Sequence, residues 1–264
     1  MSRFVPISAE HHASQRWHRF SSYEFARQAH LAALVGAELP KAAMTMPIAL
    51  VPRAAQAESQ KDHTQGFMFI ALLGLEPGVN LFIAPNGRWI GRYVPAALRG
   101  YPFRLAKAGD DKLVLCVDQD SGLIGEQGDE PFFNQNGEVA EPVGKVMEFL
   151  TQIERNRAAT LGICDRLRTH GLIQPWPIKL KAADGGGRPL EGLFRIDEAA
   201  LNALPADALI ELRDAGALPL AYCQLLSMQQ LGLLGELAKL RAAQAPKLND
   251  VFSIADDDLL HFGD

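Results

Sequence analysis

Near Pro142 the hydrophobic pattern of this chain changes its period. Upstream, apolar residues come in short runs bounded by turn residues: 46–51 (MPIALV), 67–73 (FMFIALL), 101–107 and 112–118. Downstream, Val143, Val146, Phe149, Leu150, Ile153 and Ala158 step by three and four through to Leu167. Short β-prone runs suit strands, whereas a 3–4 spacing puts side chains on one helical face. Strands that precede helices, rather than alternating with them, do not build a regular βαβ array. The class expected is α+β, with a mostly antiparallel sheet in the N-terminal half and packed helices in the C-terminal half.

Local signals fill in this outline. Ser21 and Glu24 have capping-box spacing, and Phe25, Leu31, Leu34 and Val35 behind them predict a helix over 23–38. Residues 46–51 and 67–73 read as buried strands, the second central because it lacks charge. An exposed loop is expected over 52–65. Pro85-Asn86-Gly87 signals a turn, followed by a short strand at 89–94. The runs 101–107 and 112–118 form a hairpin around Gly109-Asp110-Asp111, and 121–137 is loop. After the helix through Leu167, closed near Gly171, strands at 176–181 and 189–196 flank a turn at 184–187. Asp197 caps a helix over 198–203, Pro205 starts the next, Gly216 stops it, and Pro219 opens one long helix to 243. That last helix is apolar almost all round, so it belongs in the core.

Composition excludes several classes. With 264 residues and 48% hydrophobic content the chain can bury a sizeable core. The longest apolar run, 66–75, is far short of the roughly 18 residues of a membrane span. The first 20 residues lack an apolar segment of signal-peptide type, so a cytoplasmic location is expected. The net charge is −5. Residues 244–264 hold five aspartates against one lysine, a net of −4, which leaves −1 for the remaining 243. A near-neutral body with an acidic tail does not suit nucleic acid. One domain over 1–243, strand-rich to about 141, and an acidic C-terminal segment over 244–264 follow. Cys116, Cys164 and Cys223 are scattered among apolar neighbours and read as buried, reduced thiols.

Several blocks carry a resemblance. They are Glu38-Leu39-Pro40 with Met46-Pro47-Ile48-Ala49, Gly74-Leu75 with Asn80-Leu81-Phe82, and Gly87-x-Trp89. Next come Tyr93-Val94-Pro95-Ala96-x-Leu98-Arg99-x-Tyr101-Pro102-Phe103 and Leu115-Cys116-Val117-Asp118-x-x-Ser121. Gly192 to Glu198 and the Leu-rich 221–233 complete the set. The segment 23–234 thereby resembles the bacterial SapC-like family. The resemblance implies an accessory role, since such proteins often stand beside TonB-dependent receptors, halogenase-like flavoproteins and cupin-like oxygenases. The family's name comes from an association with a surface layer. No catalytic residue carries over from it.

The candidate site is the 93–103 block. Arg92, Arg99 and Arg104 interleave with Tyr93 and Tyr101, and Trp89 and Asn80 lie close in sequence. Arginine forks grip carboxylates or phosphates, and Tyr and Trp add rigid contact area. These seven residues are expected to line a site for a small anion or a peptide end. The competing reading is a structural corner fixed by Pro95 and Pro102, with Arg99 paired to an internal carboxylate. Asp118, Asp120 and Ser121 read as turn residues before a metal or acid–base site. His11, His12, His18 and His30 read as solvated, and Glu38 as a surface or capping carboxylate rather than a general base. No zinc spacing, phosphate loop or nucleophile motif occurs, so no metal and no cofactor are expected.

Three functions stay open. The first is a cytoplasmic accessory protein without catalytic function, with a protein partner engaged through the acidic tail; the equal alternative for that tail is packing on its own domain through Val251, Phe252 and Leu259. The second is an enzyme or a small-molecule-binding protein with its pocket at Arg99 and Tyr101. The third is a surface-layer-associated protein. The missing catalytic constellation favours the first.

Overall fold

The structure, a computed structural model, describes residues 3–53, 66–109, 112–181 and 187–244. The expected loop at 52–65 (beyond residue 53), both hairpin tips and most of the acidic tail lie outside the described residues. In chain order the strands are β1 Phe4–Pro6, β2 Arg16–Trp17, β3 Leu31–Ala33, β4 Ile48–Pro52, β5 Phe67–Leu72, β6 Phe103–Ala108, β7 Lys112–Asp118, β8 Ile124–Gly125, β9 Glu130–Pro131, β10 Ile173–Pro175, β11 Ile178–Lys181, β12 Gly187–Leu190 and β13 Phe194–Ile196. The helices are α1 Ala9–His12, α2 Leu39–Ala42, α3 Ala96–Arg99, α4 Glu141–Thr169, α5 Glu198–Asn202, α6 Ala206–Asp214, α7 Ala217–Ser227 and α8 Leu231–Gln244. The class is α+β, and the strand pairs are antiparallel.

Two apolar centres organise the described residues. The larger surrounds a sheet of order β10-β13-β4-β5-β3. Ile48, Leu50, Phe69, Leu72 and Ile196 are buried there with Leu167 of α4 and Leu220 of α7. The continuous apolar runs of β4 and β5 fit strands paired on both sides, with α4 on β5 and α7 on β4. The smaller centre gathers Trp17, Phe103, Leu115, Val117, Phe132 and Val143 around the sheet β1-β7-β6. Helix α4 reaches both centres, Val143 packing in the smaller and Cys164 and Leu167 in the larger. Its 29 residues make a rod of about 44 Å at 1.5 Å per residue. The period change at Pro142 therefore marks the rod joining the two centres, and Gly171, at φ 67°, closes it.

Four local expectations are corrected. Residues 23–38 do not form a helix; they make two 3-10 turns and β3. The open edge of β5 accounts for this, because Leu31, Ala32 and Ala33 pair with Leu72, Ala71 and Ile70. Tertiary pairing overrides the local helical spacing. Residues 89–94 form no strand beyond one bridge between Ile83 and Trp89. The 121–137 loop contains β8 and β9, which flank β2. The last helix is broken at 228–230 by a 3-10 turn. Beside the break, Ser227 Oγ donates to the Gln224 carbonyl (2.6 Å) and accepts from Ile48 N (3.0 Å). Such back-bonding bends helices.

Candidate functional site

The 93–103 block turns the chain from the larger centre to the smaller. Pro95 precedes the single turn α3, and the Tyr101–Pro102 peptide is cis. The block is organised by Glu38, a carboxylate buried to 5% exposure. Its Oε1 accepts from Tyr93 Oη (2.6 Å) and from the Ala96 amide (2.6 Å), while Oε2 accepts from the Val35 amide (3.1 Å). An ionised carboxylate only accepts, so three donors around it are satisfied together. Arg99 Nη2 stands 4.0 Å from Oε1 and 3.4 Å from Tyr93 Oη. Its guanidinium lies over the Phe149 ring (5.2 Å) and the Tyr93 ring (5.8 Å). Burial, then the facing Glu38 carboxylate, pushes the Tyr93 phenol well above its ordinary value. Glu38 is thus no surface carboxylate, but it is a capping one, Oε2 taking the Val35 amide at the start of the 36–38 turn; the gap against it, about 10 Å³, has room for roughly one water.

The other predicted site residues divide into two groups. Trp89 and Tyr101 join the block through an aromatic cluster. Trp89 Nε1 donates to the Tyr93 carbonyl (2.9 Å), and its ring stacks on Phe82 (5.4 Å). Tyr101 stacks on Phe25 at 3.9 Å, nearly parallel. Burial raises the Tyr101 phenol, helped by the charge and hydrogen bond of Asp118. Asn80 is fully buried and ties loops together: Nδ2 donates to the Ala26 carbonyl (3.1 Å) and Oδ1 accepts from the Phe82 amide (3.0 Å). Arg92 and Arg104 are not brought into the cluster. Arg104 covers the Phe4 ring at 3.8 Å. Arg92 is exposed beside Ile90 and Leu233 and has no ion pair or hydrogen bond among the described residues.

Sequence reasoning missed Glu38 as the hub and Phe20, Tyr23 and Phe25 as the floor of the cluster. Three aromatics within six residues was the available signal; placing Tyr23 and Phe25 in a helix that excludes Phe20 dispersed it. Gly87, at φ 79°, brings the turn against this segment, where Tyr23 N donates to the Gly87 carbonyl (2.8 Å). A Cβ there would overlap Ser22 Oγ.

Asp118 Oδ1 accepts from the Arg3 (3.0 Å) and Asp120 (3.2 Å) amides, so it caps a turn as expected. His12 corrects the reading of four solvated histidines. It is fully buried against Phe132, with Nδ1 3.2 Å from the Ser8 carbonyl and Nε2 2.7 Å from Gln119 Nε2. The Gln119 amide nitrogen donates to Nε2, and Nδ1 stands between the Ser8 carbonyl and the Ser8 amide (3.3 Å). Burial lowers its pKa. Among the described residues no group of three metal-ligating side chains converges, and no helix is long and apolar enough to cross a membrane. The cysteines are unpaired. Cys116 and Cys164 are buried and Cys223 half-buried, with burial pushing the Cys164 thiol up to about 12.

The site is therefore an inward-facing carboxylate hub set in a two-centre α+β fold. A family model described as SapC matches residues 7–234, most of the chain, and the chain belongs to that family. No curated protein and no solved structure matches it.

Proposed function

We propose that this chain is a cytoplasmic, non-catalytic accessory protein that supports nutrient uptake or modification beside halogenase-like or cupin-like enzymes. Its acidic segment 244–264 contacts a protein partner. One observation carries the reading: the polar groups of the most distinctive block are spent on one another. Tyr93, Ala96 and Val35 occupy Glu38, Trp89 is bound to Tyr93, and Asn80 is consumed by backbone. A substrate needs a cavity of hundreds of Å³, whereas the gap that Glu38 faces is about 10 Å³.

A second reading, a small-anion or peptide-end site at Arg99 and Tyr101, is favoured by Arg99, whose side chain keeps 43% exposure. A guanidinium set over two aromatic rings and this exposed keeps N–H donors for a carboxylate or phosphate. The test compares two full-length variants from the native cells. Exchanging Asp256, Asp257 and Asp258 for Asn is expected to cut partner recovery several-fold with an unchanged thermal midpoint. Loss of a bound species from Arg99→Ala instead, with partner recovery intact, would favour the second reading.

A further inference from the structure

The outer face of α8 is an unusual surface for a chain of this composition. Two hollows of about 380 and 320 Å³ run along it. Both are lined by Ile90 and Leu237, so they form one continuous groove. Its apolar residues are well exposed: Met44 76%, Leu240 58%, Ile90 51% and Leu233 41%. Exposed apolar residues scattered singly need no explanation, but a contiguous groove marks a docking surface.

The rim is basic. Arg27 and Arg241 edge one hollow and Arg92 the other. Arg27 is bound to Glu24, and Arg241 Nη1 donates to the Asn80 carbonyl (3.0 Å), so both heads are fixed in place. Counting Glu24 against the three arginines leaves the rim with a net of +2. On α8 itself Glu236 and Lys239 pair and cancel (2.9 Å).

We infer that the chain's own C-terminal segment, residues 245–264, seats in this groove when no partner is bound. Three observations argue for that occupant. The first is position: α8 is described to Gln244, about one turn past Leu240 and Arg241, so residue 245 begins beside the groove. The second is reach. Leu240 to Leu233 is seven helical residues, about 10 Å, whereas the eight residues from Gln244 to Phe252 extend to about 26 Å. The third is chemistry. Residues 245–264 carry five aspartates and one lysine, and Asp256-Asp257-Asp258 lie between the apolar sets Val251, Phe252, Ile254 and Leu259, Leu260, Phe262. An apolar, anionic strip matches an apolar groove with a cationic rim. The inference rests on the reading of 244–264 as a contact segment and adds where it docks in the free chain. A partner would then compete with a tethered, high-effective-concentration occupant.

The experiment uses the full-length purified chain with Phe262→p-benzoylphenylalanine, and separately Phe252→p-benzoylphenylalanine. Irradiation is expected to give a product of monomer mass, with cross-links to peptides containing 81–92 or 233–241. The charge-reversed variant, Asp256, Asp257 and Asp258 to Lys, is expected to cut that yield at least five-fold. Adding Arg92→Glu to that variant should restore much of the yield, a rescue that a merely structural role for Arg92 would not produce. A covalent dimer would make a second copy the occupant and overturn the inference. So would cross-links scattered over the surface, or none. Partner recovery is not measured here, so failure of this docking and failure of the accessory reading are separately visible.

Discussion

Removing the Glu38 side chain is the sharpest probe of how the 93–103 block is held. Glu38→Ala strands the Val35 and Ala96 amides and the Tyr93 hydroxyl, all of which now donate to the carboxylate. Each buried donor left without a partner costs about 1–3 kcal/mol. The hydroxyl can rotate, so the two amides and the lost side-chain packing set the scale, for a total of about 3–6 kcal/mol. The Arg99 contact adds little, since at 4.0 Å and 43% exposure such a pair is worth about 1 kcal/mol at most. Domains are stable by about 5–15 kcal/mol, so the variant should fold marginally. Glu38→Gln keeps a carbonyl for Tyr93 and Ala96 but turns an NH2 toward the Val35 amide, and should cost about 1–3 kcal/mol. Urea unfolding followed by tryptophan fluorescence gives both values. A cost below about 1 kcal/mol for Glu38→Ala, or a Gln variant weaker than the Ala variant, would refute the hub.

Other predictions concern the buried polar groups. Because the folded His12 pKa is lowered, its contribution to stability is fully present above the unfolded value of about 6.5 and is lost as pH falls below it. Urea midpoints at pH 7.5 and 5 should differ by up to about 1.4 kcal/mol per pH unit more in the native chain than in His12→Gln, and equal slopes would contradict this. The raised Tyr93 and Tyr101 phenols work in the opposite direction: their stabilisation holds below the unfolded value of about 10 and fades as pH rises past it. Absorbance at 295 nm should show part of the tyrosine ionisation arriving together with alkaline unfolding rather than before it. Gln224 receives the Ile196 amide (2.9 Å) and donates to the Ile48 carbonyl (3.0 Å), so Gln224→Leu should cost about 2–4 kcal/mol by urea unfolding, and a neutral result would refute its role in joining β4 and β13 to α7. With burial raising all three thiols, Ellman's reagent should label half-buried Cys223 first and Cys164 only on unfolding.

Strong local signals in the sequence were enough to read much of the fold. The 3–4 spacing from Val143 onward located α4, and Asp197 capped α5 as its position suggested, its side chain accepting from the Ala200 amide. The charge-free run at 67–73 located a strand paired on both sides. What failed was set by partners distant in sequence. Residues 31–33 carry apolar spacing that suits either element, and only the free edge of β5 decides for a strand. The break after α7 depends on Ile48, 179 positions away from Ser227. The candidate site shows the same division. Arginines and aromatics singled out the 93–103 block, and the internal carboxylate weighed for Arg99 is Glu38, 4.0 Å away. That Glu38 sits 55 residues upstream of Tyr93 is a tertiary fact with no local trace.

Native mass spectrometry of the full-length chain purified from its own cells tests the central claim most directly, because it weighs bound molecules and partner chains together. The account predicts the bare polypeptide in complex with a protein partner, the complex dissociating when Asp256, Asp257 and Asp258 are changed to Asn. A stoichiometric small molecule on the chain, retained in that variant and lost in Arg99→Ala, would contradict it.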